Sequence, residues 1–158
     1  MTYKVLLFVH IIGVILFLGV GAGSAFYKLM TDRSKNIQAI VKVNSIVVLA
    51  DWLFTTPAVL IQPISGVALA YVLNVSLMEP WLFVSIILYI LSISLWLIAV
   101  YTQIKMKDIS LDALEKGIEL GDEYQKYVRW WIWLGIPSFL SMFLMMLLMM
   151  FHYWIVGS

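Results

Sequence analysis

The chain has 158 residues, of which 63% are hydrophobic and 12% charged, with a net charge of +1 and a mean hydropathy of +0.99. A soluble domain carries about 25% charged residues, so this much apolar surface excludes a water-soluble fold, and a near-neutral balance without a basic stripe excludes nucleic-acid binding. The absence of cysteine removes disulfides, thiolate metal sites, iron–sulfur clusters and cysteine nucleophiles, leaving imidazole, thioether and carboxylate as candidate ligands.

The apolar runs predict an all-α fold, a single polytopic membrane domain built as a four-transmembrane-helix bundle. The spans are expected at about residues 5–27, 46–73, 81–104 and 130–156, with loops at 28–45 and 105–129. Each run can cross roughly 30 Å of hydrocarbon at about 1.5 Å per residue. The first is too long and too interrupted by glycine to be a cleavable signal peptide.

Span one carries His10, about six residues beyond Lys4 and so roughly 9 Å deep, where an imidazole needs a partner or a ligand. Gly13 and Gly21 leave little bulk along the same face, with Phe17 between them. Such a groove suits a flat cofactor or a closely packed helix. Gly19 and Gly23 form a small-xxx-small notch of the kind that packs helices together, within one chain, between copies or against a membrane partner.

The first loop holds Lys28, Arg33, Lys35 and Lys42, and the second Lys105, Lys107, Lys116, Lys126 and Arg129, which is nine of the ten basic residues. The connection from Asn74 to Pro80 holds none. The positive-inside rule then puts both loops in the cytoplasm and both termini outside. Trp52, Trp130, Trp131 and Trp133 fall at the cytoplasmic interface and Trp81, Tyr153 and Trp154 at the outer one.

Span two opens on Asp51, level with Arg129 at the start of span four, which predicts an ion pair across the bundle. Beyond it, Pro57 and Pro63 interrupt the hydrogen-bond ladder twice, freeing carbonyls beside Gln62 near mid-membrane. Ser92, Ser94 and Gln103 of span three could complete the missing bonds. The loop from Lys105 to Val128 predicts a short surface helix capped by Ser110 and ended by Gly121.

Span four places Met142, Met145 and Met149 on a stripe that ends near His152. Thioethers leading to an imidazole could pass Cu(I), and the same stripe could simply fill gaps between helices. His152 lies at nearly the depth of His10, so the two imidazoles could share a metal or ligate haem iron from both sides. The candidate cofactor residues are thus His10, Gly13, His152 and Gln62, and the candidate metal ligands His10, His152 and Met149. The leading expectation is haem b on His10, with the Gly13 face receiving the porphyrin and His152 or Gln62 opposite. The alternatives are copper or small-solute transport and a non-catalytic accessory subunit. No catalytic motif is present.

The segments Ala50-Asp51-Trp52-Leu53-Phe54-Thr55-Thr56-Pro57, Gln62-Pro63 with Gly66, Pro80-Trp81-Leu82, Gln103-Ile104-Lys105 and Arg129-Trp130-Trp131 with Gly135-Ile136-Pro137 resemble the bacterial integral membrane proteins of domain-of-unknown-function family 2269. That resemblance implies a bacterial inner-membrane protein and no particular chemistry. A remoter likeness, carried by a histidine early in span one, is to the copper-resistance CopD domains and the haem-binding protoporphyrinogen oxidase HemJ. Phe26 and Lys28 stand where HemJ has an arginine, and this chain has four spans only.

Overall fold

The computed structural model describes residues 1–156, the last five as helical backbone only. It contains four long helices, each long and apolar enough to cross a membrane. They are α1 (Thr2–Arg33), α2 (Ile37–Val72), α3 (Pro80–Lys116) and α4 (Asp122–Val156). The chain is therefore an all-α membrane bundle, as its composition demands.

Helix boundaries follow local chemistry. Between α1 and α2, Lys35 adopts a positive φ of 55°, and the Asn36 side chain accepts from the Ala39 N–H at 3.1 Å to cap α2. Pro80 occupies the first turn of α3, where its missing N–H costs nothing. Gly117, with φ at 65°, closes α3 in the left-handed conformation that glycine tolerates.

The expected loops at 28–45 and 105–129 are largely helix. All four helices run past the apolar spans, and the separate surface helix is instead the end of α3. Ser110 lies inside α3, buried, donating to the Lys107 carbonyl at 2.9 Å. Gly117 rather than Gly121 ends the helix. The reason is that residues 104–116 hold no glycine or proline, and Met106, Ser110 and Ala113 bury one face at the helical repeat.

At this basic end a polar clasp joins all four helices. Lys28 of α1, only 2% exposed, donates to Asp32 and, at 2.7 Å, to the Tyr124 hydroxyl of α4. That hydroxyl donates to Asp32 at 2.8 Å and accepts from Asn44 of α2 at 3.3 Å. The Asn44 amide also donates to Ser110 of α3 at 3.0 Å. Around the clasp pack Ile40, Ala99, Met106, Val128 and Trp131. Trp131 is thus a core residue rather than part of the interfacial belt, whereas Trp52, Trp130 and Trp133 are exposed as belt residues should be.

Toward the opposite end the interior is apolar, built on Phe17, Ala58, Met142 and Met145, with Met149 packed against them. The methionine stripe fills the gap between helices. Two polar devices stitch this half. Ser92 of α3 and Ser138 of α4 each donate to the other's carbonyl at 2.9 Å. Pro63 cannot donate to Val59, and the orphaned carbonyl accepts from the Tyr89 hydroxyl of α3. Ser92 is therefore committed to α4, and Ser94 bonds its own helix at Ile90, so the repair of the kink falls to a residue outside the expected set.

Tyr124→Phe removes the hydroxyl that three other clasp residues share and leaves Lys28 and Asn44 short of a buried partner. The expected loss is about 1–3 kcal/mol, read as a lower apparent Tm in detergent. Tyr71→Phe, at a fully lipid- or water-exposed ring with no hydroxyl bond, should leave Tm unchanged.

Candidate functional site: a polar-anchored cavity around Asp51

Pro57 offers no N–H to the turn before it, and the helix there widens. Residues Asp51–Thr55 form a π turn in which the Thr56 N–H reaches back to the Asp51 carbonyl. The wide turn sends Trp52, Leu53 and Phe54 outward and turns Asp51 and Thr55 into the bundle. Thr55 donates to one carboxyl oxygen of Asp51 at 2.8 Å. The second oxygen is buried and has no partner.

That carboxyl borders a cavity of about 370 Å³. Its walls are Phe17 and Gly21 of α1, Trp96, Ala99 and Gln103 of α3, and Trp131, Gly135 and Phe139 of α4. Residues 96, 99 and 103 share one face of α3 at the helical repeat. The Trp96 Nε1 and Gln103 Oε1 atoms are also buried without a well-formed hydrogen bond, and both side chains come near enough to Asp51 to donate to its carboxyl only weakly. Of six such orphaned side-chain atoms among the described residues, three belong to residues that line this one cavity. Apart from the hydroxyls of Ser24, Thr55 and Ser138, which bond within the protein, the remaining walls are apolar. Where α1 meets α4 the contact is sparse, and the cavity residues Ile136 and Leu140 there are about half exposed, 53% and 52%. The cavity opens sideways along this seam.

The expected Asp51–Arg129 ion pair is absent. Among the described residues the ion pairs are Lys28–Asp32 and Lys116–Asp112. Asp51 is rotated inward by the π turn, whereas Arg129 points out of the bundle. Matching depth on two helices does not match their faces.

His10, Gly13 and Gln62 do come together, in an arrangement different from the one expected. His10 Nδ1 lies 2.9 Å from Ser65 Oγ, and Ser65 spends its own hydrogen on the Ile61 carbonyl at 2.7 Å. The serine therefore accepts from Nδ1–H. The imidazole Cε1 packs against Gly66, 3.3 Å from where a β-carbon would stand. Gln62 fills the Gly13 notch, its Oε1 within 2.5 Å of a β-carbon position there. A porphyrin on the Gly13 face would have to displace it, and Gln62 sits beside His10 rather than opposite. These residues do not fit haem as expected; they lock α1 to α2. The side chain of His152 lies outside the described residues, and among those described no three His, Cys, Asp or Glu gather as a metal site.

A family model described as "Predicted integral membrane protein (DUF2269)" matches residues 4–152. The chain belongs to this family. No curated protein and no solved structure matches it, and the remoter likeness to CopD and HemJ finds no support in these comparisons. For this DUF2269 chain, Trp96 is the cavity residue that motif reading passed over, and Gly135 appears there only as part of a family motif. The available signal was an indole in mid-span, away from both interfacial belts.

Gly13→Ala should destabilise the protein by about 1–3 kcal/mol, because Gln62 must leave a notch that has no other room. Gly19→Ala, where a β-carbon meets nothing within 4 Å, should be neutral or stabilising through helix propensity. Thermal unfolding of the two variants side by side checks the pair.

Proposed function

We propose that this protein binds a small, largely apolar molecule drawn from the lipid phase, in the cavity between α1, α3 and α4, with Asp51 as its polar anchor. The observation that carries this reading is the convergence on one hollow of three buried polar atoms that lack a well-formed hydrogen bond, on Asp51, Trp96 and Gln103. Leaving a buried polar atom unsatisfied costs about 1–3 kcal/mol, and three at one place is a cost that a bound partner removes. A hollow of a few hundred Å³ with aromatic walls and a few fixed polar groups is the usual form of a small-molecule site. The lateral opening supports entry from the bilayer rather than from water. Binding of this kind serves a carrier or sensor of a membrane-dissolved solute and requires no catalytic group of the protein.

The grouping of nine basic residues toward one end supports an orientation with that end in the cytoplasm and both termini outside, in a bacterial inner membrane. Because the chain has no cysteine, single-cysteine variants test this cleanly. In intact cells, Ser76→Cys should react with a membrane-impermeant maleimide and Glu119→Cys should not; the reverse pattern would invert the topology.

The cavity reading is tested by filling it. Gly135 lines the cavity and a β-carbon there meets nothing within 4 Å, so Gly135→Leu can occupy the hollow without disturbing the helix. The variant should keep the wild-type Tm or exceed it, and should lose saturable binding of phenylalkyl probes in nanodiscs, measured by calorimetry against empty discs. Unchanged binding in a folded Gly135→Leu variant would place the site elsewhere.

A further inference from the structure

We infer that the ligand class of the Asp51 cavity is a monovalent organic cation, a primary or secondary ammonium carrying an apolar, aromatic-sized body; this rests on the cavity reading above. The unpartnered atoms define a recognition pattern. Of the three atoms that lack a well-formed bond at this cavity, Asp51 Oδ2 and Gln103 Oε1 are acceptors, both on side chains more than nine-tenths buried, and Trp96 Nε1 is a donor that reaches Asp51 only weakly. An acceptor-rich pole in a hydrocarbon setting calls for a donor-rich ligand head.

Charge decides further. Among the described residues Asp51 has no Lys, Arg or His within ion-pair distance, and the two cations that do form pairs there belong to Lys28 and Lys116, each matched to its own aspartate. A carboxyl group so placed favours a ligand that brings the missing positive charge. An anion would meet a carboxyl with only one indole N–H to offset it. A divalent metal would require roughly six or more oxygen ligands, and the walls offer a single carboxylate, one amide and the hydroxyls of Ser24, Thr55 and Ser138, which already bond within the protein. An ammonium group, by contrast, has two or three N–H donors for Asp51 and Gln103. Phe17, Trp96, Trp131 and Phe139 surround the same space, and aromatic faces attract a desolvated cation and pack the apolar body.

The His10 cluster is a separate feature: its imidazole is held by Ser65, the Gln62 amide is packed into the Gly13 notch with its polar atoms unpartnered, and neither residue lines the Asp51 cavity. The cation site is thus separate from the one histidine that the structure describes in full.

The test compares two near-isosteric probes, phenylbutylamine and phenylbutanol, by calorimetry with the full chain in nanodiscs. The amine should bind about tenfold or more tightly than the alcohol, the margin expected of a charge-assisted hydrogen bond. Asp51→Asn, which keeps the shape and the Thr55 bond, should erase that preference while leaving alcohol binding in place. Should Asp51→Asn fail to fold, Gln103→Leu provides the second reading: removal of one acceptor should lower amine affinity and leave the alcohol unaffected. Equal binding of amine and alcohol, with both lost in Gly135→Leu, would overturn the cation assignment while the cavity reading stands. Absence of saturable binding for either probe would overturn both.

Discussion

Hydrocarbon offers no hydrogen bonds, so every polar group inside this bundle must find its partner within the protein. That single constraint organises the molecule. Apolar attraction between helices is weak in lipid, and packing together with a few polar contacts must hold them. Each contact found here answers a defined deficit: Tyr89 satisfies the carbonyl that Pro63 orphans, Ser92 and Ser138 satisfy each other, and Tyr124 gathers Lys28, Asp32 and Asn44. Of the side-chain atoms left without a partner among the described residues, half gather at one cavity and the others lie on Asn44 and Gln62.

The two halves of the bundle differ in how they are held. At the basic end the clasp fixes all four helices with charged and hydroxyl groups, and the wide turn at Asp51–Thr55 sits between that end and the apolar half of α2. Beyond it, α1 packs on α2 through His10, Gln62 and two glycines, and α3 packs on α4 through the paired serines. The seam left between α1 and α4 is sparsely packed. A cavity at that seam follows from the packing: two tightly joined pairs, pinned together at one end, leave space where their free edges face.

Much of this was legible in the residues and some was not. The four spans, the helix-breaking prolines and the basic end follow from hydropathy, from the missing proline N–H and from where lysine and arginine fall. Helix ends were misjudged wherever polarity was read as loop, because the buried faces at Met106, Ser110 and Ala113 keep α3 helical past its last apolar stretch. The Asp51–Arg129 pairing failed for a geometric reason: depth can be counted along a sequence, but a π turn rotates everything before it, and no periodicity reveals that rotation. Asp51 itself was visible as a membrane-level carboxyl, and Gln103 as a polar residue in a span. Their meeting with Trp96 depends on which helix faces which. Likewise the glycine one turn beyond His10 signalled close approach, and the group that approaches it is the Gln62 side chain.

The central claim is that the orphaned groups around Asp51 are completed by a bound molecule. An experimental density map of the protein purified from its native membrane tests it most directly. The account predicts a compact feature filling the hollow between Phe17, Trp131 and Phe139, with its polar end in contact with Asp51 and Gln103. A hollow closed by direct hydrogen bonds among Asp51, Trp96 and Gln103, or by Arg129 folded onto Asp51, would contradict it.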